Sequence, residues 1–124
     1  FMDRVKDYIR RRGENVSSME VERQVSEHPN VKEAAAIGVK AGEGASSEDE
    51  IMIVCIAEGD VPDMVELTEF MAERMPYFMV PRYIRFVDSL PKTPTERVQK
   101  NKLRDEGITA DTWDREAAGV QVKR

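Results

Sequence analysis

Residues 51–57 read IMIVCIA, an unbroken apolar run in which four of the seven side chains are β-branched. A run this short and this apolar has the pattern of a buried strand. Upstream, residues 31–39 (VKEAAAIGV) are small and apolar with β-branched ends, and read as a second buried strand. Between the two lies AGEGASSEDE, a Gly/Ser/acidic stretch expected to be a loop, with Asp49 and Glu50 in it. The chain therefore has to build a sheet and cover it. Its 124 residues allow one core, and a chain of this length can fold without staples. The composition offers none: Cys55 is the single cysteine and His28 the single histidine, which excludes a disulfide framework and a Cys/His zinc cluster. Cys55 sits inside the apolar run, where a thiol is packing material with a raised pKa.

The covering elements are signalled by caps. Ser17 followed by Glu20 is a capping box, with Val16 and Val21 placed to staple it, and Val21 and Val25 share one face of a helix that His28-Pro29 stops. His28 is expected to cap that helix or face solvent. Asp63 and Glu66 repeat the spacing, and Met64, Leu67, Met71 and Met75 make a helical stripe that reads as core. Residues 83–87 (YIRFV) read as a third strand and residues 100–106 as a short helix. The opening residues 4–16 read as a short hairpin turning at Gly13-Glu14-Asn15. From residue 107 to 124 no period is sustained, and a tail without order of its own, pinned by Trp113, is expected. The fold class is α+β: a short N-terminal hairpin plus a small mixed sheet of about three strands covered by helices.

Several function classes drop out. No apolar run reaches the length of a membrane span, and the start FMDRVKDYIRRRG lacks a signal-peptide core, so a cytoplasmic, reducing setting is the expectation. The net charge of −5 argues against a nucleic-acid binder. Within that acidic chain, residues 1–12 hold five basic side chains against Asp3 and Asp7, and residues 90–104 hold five against Glu96. Two basic segments on an acidic body suit engagement of a few phosphates, or are solvated surface charge. There is no glycine-rich phosphate loop, and a nucleophile–histidine pair would have to use His28.

The order of residues in those two segments is more specific than their charge. FMDRVKDYIRRRGENVSSMEVE resembles the opening of the C-terminal domain of acyl-adenylate-forming (AMP-binding) enzymes, patterned D/G-R-x-K-D-x-I-x-x-x-G-x-x-I-x-x-x-E-I/V-E. LPKTPTERVQKNKLR is similar to the closing motif of the same domain, L-P-K-T-x-x-G-K-[IV]-x-[KR]-x-x-L-R, and HPNVKEAAAIGV and PYFMVPRYIRFVDSLP fall in the family's order between them. The resemblance spans residues 1–106 and points to the acyl-CoA synthetase branch, with a fatty-acyl or carnitine/crotonobetaine-CoA ligase-like member as the finer likeness.

The resemblance implies a mobile lid, inactive alone, of an enzyme that uses ATP, Mg2+ and coenzyme A. A small carboxylic acid and ATP give an acyl-adenylate and pyrophosphate, and the coenzyme A thiol then displaces AMP. The ATP and acid pockets would belong to a large N-terminal domain not included in these residues, and Phe1 at the first position fits a fragment. Rotation of the lid between steps would serve both reactions. By the same resemblance Arg4 would contact the nucleotide ribose, Lys6 would be the hinge, and Gly13, Glu14 and Asn15 would approach the coenzyme A channel, with Arg10 to Arg12 either near its phosphates or merely solvated. No metal ligand is implied within this chain.

Arg97 stands where the family carries a lysine that bridges the substrate carboxylate and the α-phosphate during adenylation. Thr95-Glu96-Arg97 replaces Ser/Thr-Gly-Lys. Arginine keeps the charge but is planar and bidentate, so the exchange is not conservative. Either Arg97 performs the task with altered geometry, or adenylation is slow or supported by another cation, with Lys92 and Lys100 nearest. Alternatives are the lid of a carrier-protein-loading adenylation domain, a degenerate synthetase that binds without turnover, and a stand-alone interaction module. Lys6 at the hinge and the Gly13-Glu14-Asn15 turn favour coenzyme A over a carrier protein.

Overall fold

The computed structural model describes residues 8–11, 14–39, 50–95, 97–115 and 117–119. A two-stranded antiparallel hairpin, β1 (Tyr8–Arg11) and β2 (Glu14–Ser17), leads into helix α1 (Ser18–Val25). The main sheet follows: β3 (Val31–Val39), β4 (Glu50–Ala57), then helix α2 (Met64–Arg74), β5 (Tyr83–Phe86), helix α3 (Lys100–Glu106) and β6 (Trp113–Asp114), in the spatial order β3-β4-β5-β6. β3 runs antiparallel to β4 and β6 antiparallel to β5, while β4 and β5 are parallel. A parallel pair needs a crossover connection, and α2 is in it. No helix among the described residues is long and apolar enough to cross a membrane.

The unbroken apolar run of β4 follows from its position. Ile51, Ile53 and Cys55 face the core formed with α1, α2 and the hairpin residues Ile9 and Val16. Met52 and Val54 face a second core with Ala35, Ile37, Tyr83, Leu90 and Leu103. With both faces covered, alternation disappears and every position favours an apolar side chain. β3 reaches the same arrangement through a bulge: Val31 pairs with Ala57 and Glu33 with Ile56, leaving Lys32 extra. The inserted residue shifts the face parity, so Val31 packs on the same side as Ala36.

The N-cap bond of each expected box forms, while the two box glutamates turn their carboxylates to other partners, Glu20 to Arg23 and Gln24 and Glu66 to His28. Ser17 Oγ accepts from Glu20 N at 3.3 Å, and the Asp63 carboxylate accepts from Glu66 N at 3.0 Å. Glu20 turns its carboxylate to Gln24 and Arg23, which hold its pKa below the ordinary carboxylate range. The methionine stripe is core, with Met71 fully buried.

Several expectations are corrected. Of the expected turn Gly13-Glu14-Asn15, Glu14 and Asn15 belong to β2, since Arg11 pairs with Glu14 and Arg10 with Asn15, and Gly13 lies outside the described residues. This register places Ile9 opposite Val16, and both side chains must reach the core, which fixes the alignment. The sheet has a fourth strand, β6, contributed by the stretch after Gly107 that shows no periodicity. Gly107 ends α3 at φ +61°, a conformation an L side chain resists, and the chain returns to the sheet edge. There Trp113 packs on the first core as expected. Arg82 donates from Nε and Nη2 to the two Asp114 oxygens at 3.0 and 3.2 Å. Arg85 holds the connecting segment through Glu106 and Asp111. Glu50 is not a loop residue: it opens β4, is buried, and lies 4.0 Å from Arg82. His28 is also buried, at 4 % exposure. Its Nδ1 accepts the Asn30 N–H, so Nε2 is the donor to Glu66 at 2.9 Å, and Phe70 meets the ring edge-on.

Candidate functional site

The loop joining β5 to α3 is built by its own sequence. Leu90, with Leu103 of α3, is buried in the second core, and Val98 packs against it. Between them Lys92 and Val98 form an antiparallel bridge. Gln99 N donates to Pro91 O and Thr93 N to Arg97 O, each at 2.8 Å. The Thr93 hydroxyl closes the turn, accepting from Arg97 N at 3.1 Å and sharing a hydrogen bond with Thr95 Oγ1 at 3.0 Å. Each residue of the LPKT motif thus has a task in holding the loop: Leu90 buries, Pro91 supplies a carbonyl, Lys92 bridges and Thr93 clamps. Pro94, Thr95 and Arg97 are exposed at the tip. Glu96 lies outside the described residues.

The three cations of this region are placed differently. Lys92 pairs with Glu33 of β3 at 2.8 Å. Lys100 pairs with Glu22 of α1 at 2.6 Å and reaches Ser18 Oγ at 3.3 Å. The same Glu22 oxygen accepts the Ala36 N–H at 2.8 Å on the outer edge of the sheet. The Arg97 guanidinium has no partner among the described residues. Lys92 and Lys100, the sequence's candidates for a supporting cation, are therefore engaged in the fold. Arg97 alone of the three offers a free guanidinium, with paired donors suited to a carboxylate or phosphate. An exposed ion pair contributes at most about 1 kcal/mol. Tight engagement of an anion at Arg97 needs a second surface that closes over it and removes water.

The remaining sequence candidates are only partly among the described residues. Arg4, Lys6 and Gly13 lie outside the described residues. Glu14 and Asn15 are in β2, and Asn15 is exposed and makes no bond with Arg97. The root of the loop does meet the end of the hairpin: Lys100 contacts Ser18, the residue after β2. Cys55 is inert as expected, with burial pushing its thiol up to about 12. His28 is occupied by Glu66 and Asn30 and is no partner for a nucleophile. Thr93, Glu22 and Glu33 escaped notice as site-forming residues. For Thr93 and Glu22 the signal was present, since both occupy specified positions of the two motifs.

The family described as AMP-binding enzyme C-terminal domain matches residues 20–97, from the box glutamate of α1 to the arginine of the loop. The chain belongs to that family. The AMP-binding C-terminal domain is 40% identical over 104 residues to the 3-methylmercaptopropionyl-CoA ligase of Ruegeria lacuscaerulensis, covering 84% of this chain and 19% of that protein. It is 35% identical over 102 residues to the mitochondrial medium-chain acyl-CoA ligase ACSF2 of Danio rerio, covering 82% of this chain and 16% of that protein. Among solved structures, apo MatB from Rhodopseudomonas palustris superposes with a TM-score of 0.73 at 30% identity, over 82% of this chain and 20% of that one. Amide bond synthetase McbA from Marinactinospora thermotolerans gives 0.71 at 32%, over 80% and 20%. The chain thus spans about a fifth of the length of the proteins it matches.

Proposed function

We propose that this domain is the mobile lid of an ATP-dependent acyl-CoA synthetase, working against an N-terminal domain of the same enzyme that holds ATP and a small carboxylic acid. The observation that carries the reading is Arg97: an exposed guanidinium with no partner among the described residues, at the tip of a hydrogen-bonded loop and, by the motif resemblance, where the family carries a lysine. Closure of the lid would take Arg97 out of water, where its charge acts at full strength on the carboxylate and the α-phosphate as they approach. The guanidinium stays protonated throughout and moves no proton. Rotation about Lys6 would then withdraw it and bring Gly13, Glu14 and Asn15 to the coenzyme A thiol, whose attack on the acyl-adenylate releases AMP.

Among the described residues no group of three or more His, Cys, Asp or Glu is arranged to hold a metal ion. ATP and coenzyme A are taken as substrates of the whole enzyme. The compartment is not fixed by kinship, since relatives bear mitochondrial and peroxisomal names.

The test is acid-dependent pyrophosphate release by the full-length gene product over a panel of carboxylates. Arg97→Ala is expected to lower turnover by about 10²-fold or more, the scale of one oriented charge-stabilising donor. Because the Arg97 side chain is exposed and has no partner among the described residues, the melting temperature should stay unchanged. An active wild type that is indifferent to Arg97→Ala refutes the assignment of Arg97, and a wild type inert with every acid refutes the synthetase reading. Gain of activity in Arg97→Lys would mark an impaired synthetase.

A further inference from the structure

We propose that Glu22 and Lys100 are positioning residues for adenylation: a half-buried ion pair that fixes the root of the loop carrying Arg97. The inference rests on the reading of Arg97 given above and names what holds it in place.

One oxygen of Glu22 receives both the Lys100 ammonium at 2.6 Å and the Ala36 N–H at 2.8 Å. Glu22 belongs to α1, Ala36 to β3 and Lys100 to the first position of α3, so a single carboxylate ties three elements. Its hold on Ala36 is itself constrained, because β3 is an edge strand with β4 as its one neighbour in the sheet. The side chains are 22% and 16% exposed, enough burial for the pair to escape much of the screening that weakens surface pairs.

From Lys100 the constraint passes directly to Arg97. Gln99, the preceding residue, donates its N–H to Pro91 O, and two residues further back the Arg97 N–H meets Thr93 Oγ1. The opposite strand of the loop is tied by Lys92 to Glu33, a more exposed pair at 27% and 34%. Both feet of the loop thus stand on α1 and β3. A shift of about 1 Å in a positioned group can cost about 10²-fold in rate. Loss of the better-buried foot should therefore appear in the one step that uses Arg97.

Glu22→Gln is the discriminating variant, because the amide oxygen can still accept the Ala36 N–H while the charge opposite Lys100 is gone. Lys100→Met removes the ammonium and keeps the apolar stem, and Lys100→Arg retains the pair. In the full-length gene product, Glu22→Gln and Lys100→Met are expected to lower kcat for acid-dependent pyrophosphate release by about 10- to 100-fold. KM for acid and ATP should stay within about threefold, since ground-state binding is untouched. Thioester formation from supplied acyl-adenylate and coenzyme A should be unchanged, and Lys100→Arg should recover most of the lost rate. Hydrogen exchange at the Arg97 and Gln99 amides should accelerate in both impaired variants. Equal losses in the two half-reactions would overturn the proposal in favour of general destabilisation, as would unchanged adenylation in an active enzyme. If the wild type releases no pyrophosphate with any acid, the synthetase reading fails, and exchange then decides the anchor: unchanged loop amides overturn it and faster ones uphold it.

Discussion

Cys55 makes the central strand directly measurable, because it is the single thiol of the chain and has no exposed surface. Burial raises its pKa from 9.0 to about 12. At pH 8 the thiolate fraction falls from about one in ten for the unshifted thiol to about one in 10⁴ for the buried one, a loss of about 10³-fold in nucleophile. Reagent access is also closed, so labelling proceeds through opening of β4, whose two faces are both packed. A stability of even about 5 kcal/mol limits the open form to a few parts in 10⁴. An aromatic disulfide reagent at pH 8 should therefore label the native chain at least about 10³-fold more slowly than the chain in denaturant. The titration adds a sign. Below pH 9 the thiol is protonated in both states and contributes nothing. From about 9 to about 12 the unfolded chain releases the proton that the folded chain retains, so stability falls by about 1.4 kcal/mol per pH unit from this group. Urea midpoints at pH 8, 9 and 10 should decline more steeply for the wild type than for Cys55→Ala. Labelling of the native chain within tenfold of the denatured rate, or parallel pH profiles for the two proteins, would refute the placement of Cys55 in a closed double-faced strand.

Three further perturbations test the packing. Met71→Ala should destabilise the chain by about 2–5 kcal/mol in urea unfolding, as expected for emptying a fully buried methionine site, whereas Met19→Ala, at 59% exposure, should stay within about 0.5 kcal/mol. Trp113→Ala should cost about 2 kcal/mol, below the 3–5 typical of a fully buried aromatic because the indole is half-covered. Deletion of residues 107–124 should cost more and should promote association detectable by light scattering, since it uncovers the β5 edge.

The elements that sequence reasoning located are those with enough residues to display a period or a cap. β4 announces itself because two covered faces demand apolar side chains at every position, and α1 and α2 because Ser17 and Asp63 sit three residues before a glutamate. β6 could not be found this way: two residues, Trp113 and Asp114, contain no period, and their pairing depends on Tyr83 and Ile84 far back in the chain. Turn propensity puts Asn15 in the hairpin loop because it is a local signal, whereas the register that places it in β2 is decided by the joint burial of Ile9 and Val16. His28 was read from its neighbour Pro29, but its partner Glu66 arrives from another helix. The candidate site divides along the same line. Arg97 was visible from its motif, while the acids that occupy Lys92 and Lys100 come from α1 and β3 and become partners only through the tertiary fold.

That division changes the meaning of the basic segment. Counted along the chain, residues 90–104 carry five cations against one acid, which suggests a broad positive field. In the folded domain Glu33 and Glu22 neutralise Lys92 and Lys100, so the field narrows to Arg97 at the tip and to the exposed Lys102 and Arg104 on α3. Lysines at the feet of the loop are satisfied by carboxylates of the same domain, and their charge is spent on holding the loop rigid. A purely structural arginine at position 97 would be expected to find a carboxylate as its two neighbours do, given an acidic chain. It has none among the described residues, and Thr93 fixes its backbone while leaving its side chain free. Among the described residues nothing pairs with this guanidinium, and the natural partner of an exposed, unpaired one is an anion brought from outside the domain.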